Sequence, residues 1–128
     1  MENEAAGTFD VKLAPIGASD GPIGSMSIDK TFHGDLQGGS VGQMLAFRSC
    51  VEGSAGYVAM ERVTATLGGR QGSFTLQHSG LMDKGAQSLM VVVVPDSGTE
   101  GLSGLTGAMS IVVTAGKHDY HFRYKLPV

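Results

Sequence analysis

Glu61 and His78 are the two side chains in this sequence best suited to moving a proton. A carboxyl in apolar surroundings is expected to keep its proton above the usual carboxylate range, and an imidazole beside it can share or relay that proton. Tyr57 and Tyr120 add phenolic hydroxyls able to donate to an oxygen of a bound molecule. The competing reading of the same groups is a satisfied buried polar network that fixes strand register. Arg48 with Asp29, and Arg62 alone, read as structural or interface charges. His118 and His121 stand three apart, so on a strand they point to opposite faces and cannot grip one ion. His33 and His78 lack clustered ligand spacing, and no metal is expected. Cys50 is the single cysteine, which forbids an intramolecular disulfide and leaves at most one thiolate ligand for zinc. Gly98, Gly101, Gly104 and Gly107 recur every third residue without the strand-to-helix setting or Lys-Ser/Thr of a phosphate loop. They read as a bend where backbones approach closely.

These groups must be positioned by strands. Turn signals recur at Asp20-Gly21, Gly38-Gly39, Glu52-Gly53, Gly68-Gly69, Asp83-Lys84-Gly85, Asp96-Ser97-Gly98 and Ala115-Gly116, dividing the chain into eight segments. The segments are rich in Val, Thr, Phe, Tyr and Ile. Several alternate, and no stretch carries a capped helical stripe. Leu89 to Val94 is continuously apolar, as in a strand buried on both faces. The fold expected is all-β: an eight-stranded antiparallel up-and-down barrel, in which closure removes the sheet edges. An outer-membrane barrel shares that strand count but needs aromatic girdles, and only 6% of residues here are aromatic.

Two-residue turns would fix cross-strand partners. Gly68-Gly69 sets Val63 opposite Phe74, Glu61 opposite Leu76 and Ala59 opposite His78. Glu52-Gly53 sets Met44 opposite Glu61 and Arg48 opposite Tyr57. Gly38-Gly39 sets His33 opposite Met44 and Asp29 opposite Arg48. One face then carries Asp29, His33, Met44, Arg48, Tyr57, Glu61, Val63, Phe74, Leu76 and His78, a mixture of apolar and ionisable groups suited to a ligand pocket. The other carries Met26, Ile28, Phe32, Leu45, Phe47, Val58, Met60 and Arg62. A single bulge would invert this register. With large apolar residues on both faces, the outer one calls for cover, and a homo-oligomer, dimer or trimer, is expected.

The chain has 128 residues, 20 of them glycine, with 41% hydrophobic residues, which suits one globular domain over 1–128 with a flexible tail at 1–5. A net charge of −3 and nine dispersed Lys and Arg argue against a nucleic-acid partner. No apolar run is long enough for a membrane helix, and the acidic start is not followed by an apolar stretch, so a cytoplasmic protein off the membrane is expected.

Phe32-His33-Gly34, Ser54 to Arg62, Gly69 to His78, Pro95 to Thr99, Gly101 to Gly107 and His118-Asp119-Tyr120 together resemble a bacterial family of small domains of unknown function with the allene oxide cyclase-like barrel fold. The resemblance spans nearly the whole chain and implies an eight-stranded antiparallel barrel. It implies no reaction, and fold kinship is a weak warrant for one.

The leading expectation is a barrel that binds a small, largely apolar molecule in its lumen or mouth, contacted by Tyr57, Phe74, His33, Met44 and Tyr120. The alternatives are a cofactor-free isomerase or cyclase with Glu61 and His78 as acid and base, or a purely structural oligomeric barrel. No cofactor is expected.

Overall fold

A computed structural model describes residues 2–17 and 21–127. Eight strands follow one another in chain order: β1 (Glu2–Pro15), β2 (Gly24–Gly34), β3 (Leu36–Arg48), β4 (Ala55–Leu67), β5 (Arg70–Asp83), β6 (Ala86–Val93), β7 (Thr106–Thr114) and β8 (Lys117–Lys125). Each pairs antiparallel with its neighbour, and β8 returns to β1 to close the barrel. Alternation of buried and exposed residues along β4 and β5 explains why these segments become strands: one face of each is apolar and has a lumen to fill.

The strand count is as expected, but three local expectations fail. Residues 2–5 are no tail: Glu2 to Ala5 pair with Lys125 to Phe122, and Ala5 is buried. Gly38-Gly39 is no turn. The β2–β3 reversal falls at Gly34-Asp35, where Gly34 has φ +100° and Asp35 accepts the Ala6 N–H. Gly38 and Gly39 lie inside β3, where a Cβ at Gly38 would stand 2.2 Å from the Thr64 carbonyl oxygen. The apolar run 89–94 is not buried on both faces, since Leu89 and Met90 are exposed. The predicted Asp20-Gly21 turn involves Asp20, which lies outside the described residues.

The two ends differ. At the end holding the Gly68-Gly69 turn, the lumen is solid: Leu36, Leu67, Phe74 and Phe122 are fully buried there. The β6–β7 link folds over this end, its short 3-10 turn (Glu100–Leu102) bringing Leu102 and Leu105 into the core. Its glycines permit close approach, as expected, and a Cβ at Gly98 would meet the Leu102 carbonyl at 1.9 Å.

The opposite end is open. Leu13, Leu89 and Val113 all face inward by register, yet are 48%, 44% and 60% exposed. The wall is also notched there. β6 and β7 pair only at Val91–Met109 and Val92–Ala108, so residues 86–90 and 110–114 run free of one another. At roughly 3.3 Å per residue, this slit is about 17 Å deep.

Candidate functional site

The register of β4 and β5 agrees with the sequence expectation: Ala59 lies opposite His78, Glu61 opposite Leu76 and Val63 opposite Phe74. Between β3 and β4 the pairing is displaced by two residues, placing Gly42 opposite Glu61 and Met44 opposite Ala59. The reversal there spans Ser49 to Ser54 instead of two residues, and the even displacement leaves each side chain on its expected face. Between β2 and β3 the displacement is odd, because the turn is at Gly34-Asp35. Lys30 faces Ser40 and Met26 faces Met44. Hence Met26, Ile28, Lys30 and Phe32 point inward, while Asp29 and His33 point outward.

This inversion puts an unforeseen residue at the centre of the barrel. Lys30 Nζ lies 2.8 Å from Glu61 Oε1, and both side chains are buried. The same oxygen lies 2.5 Å from His78 Nε2, while Ser40 Oγ donates to Oε2, also at 2.5 Å. Lys30 further rests over the Phe9 ring, with Nζ 4.6 Å from the centroid. Among the described residues no buried side-chain polar atom lacks a partner. The alternation around Lys30 (Ile28 and Phe32 on its own face) was the signal that it turns inward.

The electrostatics reverse the expectation for Glu61. Burial alone would raise its carboxyl, and that is the largest single effect. The hydrogen bond from His78, the charge and hydrogen bond of Lys30 and the hydrogen bond of Ser40 together outweigh it and hold the group at about 2, below its ordinary 4.5. Glu61 is therefore an anion saturated by donors. An ionised carboxylate can only accept, so the proton between it and His78 sits on Nε2.

The other predicted residues divide into three groups. Tyr57 faces inward one rung nearer the open end than His78, its ring 6.4 Å from the imidazole and laid over Gly80, where a Cβ would stand 2.4 Å from the ring. Burial first, and the charge of Glu61 second, raise its phenol above 10, which keeps the hydroxyl a donor. Met44, half-buried, shares the rung of Ala59 and His78. Together with Gly24, Ala46, Met82 and Leu89 these two line a cavity of about 590 Å³ at the open end, which continues over the rim to Phe47 and Leu81 on the outer face. Phe74 and Tyr120, by contrast, are committed to the interior. Phe74 stacks on Phe122 in the solid end. Tyr120 Oη accepts the Leu36 N–H at 2.9 Å and donates to the His33 carbonyl at 2.9 Å, tying the β2–β3 turn to β8. His33 stands outside the barrel, its Nε2 3.0 Å from Asp10.

His118 and His121 separate as expected: the first packs inward on Phe9, the second pairs with Glu4 outside. Among the described residues no group of three or more His, Cys, Asp or Glu could hold a metal. None of their helices is long and apolar enough to cross a membrane.

The molecule is thus a closed eight-stranded antiparallel barrel, solid at one end, cupped at the other, with a buried ionic cluster between. A family model described as "Protein of unknown function (DUF3224)" matches residues 5–124, and the chain belongs to that family. It is similar to the crystal structure of a protein with unknown function from the DUF3224 family from Shewanella oneidensis, with 45% identity over 100% of this chain and 99% of that one and a TM-score of 0.93. No curated protein matches it.

Proposed function

We propose that this barrel is a binding module whose open end receives a small, largely apolar molecule. The carrying observation is that inward-facing Leu13, Leu89 and Val113 stay exposed around the cup instead of closing over it. Globular chains ordinarily bury such residues, and the cavity that Leu89 lines at this end, about 590 Å³, falls in the range of small-molecule sites. Met44 supplies an adaptable apolar wall and Tyr57, one rung nearer the mouth, a hydroxyl able to donate. The three donors on the Glu61 carboxylate favour this reading over an isomerase or cyclase, because a carboxylate so held is a poor base and carries no proton to give.

Fluorescence titration with N-phenylnaphthylamine, a neutral apolar probe, tests the proposal. Saturable binding of one probe per chain is expected, weakened at least tenfold by Met44→Arg. Thr8→Lys, on the outer face of β1 away from the cavity, should leave it unchanged. Absence of saturable binding, or a Met44→Arg variant that binds as the parent does, would overturn the proposal. Native mass spectrometry of freshly purified protein would show whether an organic guest comes with it.

A further inference from the structure

The outer wall of the barrel is chemically two-sided. Outward positions of β8, β1 and β2 carry Asp119, Arg123, Glu4, Asp10, Lys12 and Asp29, with His33 and His121 each 3.0 Å from a carboxylate, of Asp10 and Glu4 respectively. Across β3, β4 and β5, the outward positions within 37–47, 56–66 and 71–81 hold one charged residue, Arg62. Val41, Leu45, Phe47, Val58, Met60 and Leu81 stand there, each between 43% and 65% exposed. Register makes them contiguous, since Leu45 lies opposite Val58 and Phe47 lies opposite Gly56, which in turn lies opposite Leu81.

We infer that this wall is the interface through which two copies of the chain pack face to face. Six half-exposed apolar side chains amount to an apolar patch on the order of 500 Å², at the upper end for a monomer. With the polar rim of Gln43, Gln77 and Ser79 the wall approaches the roughly 800 Å² per partner of a stable complex. A second copy is the occupant that the charges favour. A like surface meets this one without juxtaposed like charges at its centre, and Arg62 is turned to its own chain, donating to the Ser97 carbonyl at 3.0 Å and to Thr75 Oγ1 at 3.2 Å. The surface has relief suited to self-docking. Gly56 leaves a dent between Phe47 and Leu81, beside a groove of about 780 Å³ that Ile23 also lines. A two-fold axis beside Gly56 would let a ridge of each copy meet the dent of the other, the isologous arrangement commonest among homodimers.

Sedimentation equilibrium of the full chain tests this. The parent is expected to be a dimer at micromolar concentration. Val58→Lys, at the middle of the wall, should raise the dissociation constant by at least about 30-fold. Thr8→Lys, which adds the same charge on the opposite wall, should leave it unchanged. A monomeric parent, or a Val58→Lys variant that dimerises as the parent does, would overturn the inference. Should Val58→Lys fail to fold, amide exchange of the parent at low and high concentration decides: protection that rises with concentration in β3–β5 supports the interface, and concentration-independent exchange there refutes it. Neither result depends on whether the cup binds a guest.

Discussion

Lys30 and Glu61 meet over a strand to which neither belongs. Lys30 is on β2 and Glu61 on β4, and their 2.8 Å contact passes over β3 between Ser40 and Gly42. Gly42, with no side chain, lets β4 come close to β3 at this point. A Cβ there would stand 2.2 Å from the Met60 carbonyl oxygen and 2.8 Å from the Glu61 Cβ. Three strands are thereby fixed in register by one ionic contact.

Glu61→Gln removes the only anion of the cluster and leaves the Lys30 ammonium buried without a counter-charge. Loss of one partner of a buried pair costs about 3–5 kcal/mol, and urea denaturation of the variant should show a loss of that size. Lys30→Met should also destabilise, and the double variant should lose much less than the two singles combined, since each single leaves a charge stranded. Strict additivity would show that the two residues act independently.

The depressed carboxyl gives stability a definite pH dependence. The folded value of Glu61 is about 2 against an ordinary 4.5, so the unfolded chain takes up the proton first as pH falls. Its contribution is full above the ordinary value, declines as pH falls below it, and is gone once pH passes through about 2. That difference corresponds to about 3 kcal/mol. Denaturation of the parent and of Glu61→Gln from pH 6 to pH 2 should therefore show their stabilities converging in acid. A constant gap would refute the assignment.

Gly42→Ala should be destabilising by about 1–3 kcal/mol, the usual cost of overpacking, although alanine ordinarily favours an ordered strand over glycine. Thermal unfolding is the measurement. A gain in stability would mean that β3 and β4 separate more easily than their packing implies.

Tyr120→Phe keeps the ring against Phe32 and deletes the hydroxyl that serves the β2–β3 turn. The Leu36 N–H is then buried without an acceptor, a loss of about 1–3 kcal/mol. Amide exchange at Leu36 should rise with it, while binding of an apolar probe at the open end stays as in the parent.

The strand count and the β4–β5 register were legible because Gly68-Gly69 is a true two-residue turn, and a two-residue turn leaves one register open to its strands. Gly38-Gly39 looks identical in sequence but answers a different demand. There the missing side chains let β4 come close, and the reversal is made four residues earlier by Gly34-Asp35. Paired glycines do not say which of these they serve, so the face of β2 was inverted. The inversion hides Lys30, whose charge and hydrogen bond join the hydrogen bonds of His78 and Ser40 in holding Glu61 as an anion. Met44 and Tyr57 fall on the expected face because the β3–β4 displacement is even, although their partners across it become Ala59 and Ala46. Tyr120 drew attention for its hydroxyl, but its partners are backbone atoms more than eighty residues away in sequence, which residue type alone does not show.

The slit between β6 and β7 makes the open end a split ring. Its two lips are the tips of separate hairpins, β5–β6 and β7–β8, each fully laddered within itself. The rim can therefore widen by flexing the sheet on either side of the slit, where there is no β6–β7 pair to break. A continuous eight-strand hoop would have to break pairs to do the same. On the proposed binding role, the size of guest admitted would follow the spread of the two lips as well as the volume of the cup at rest.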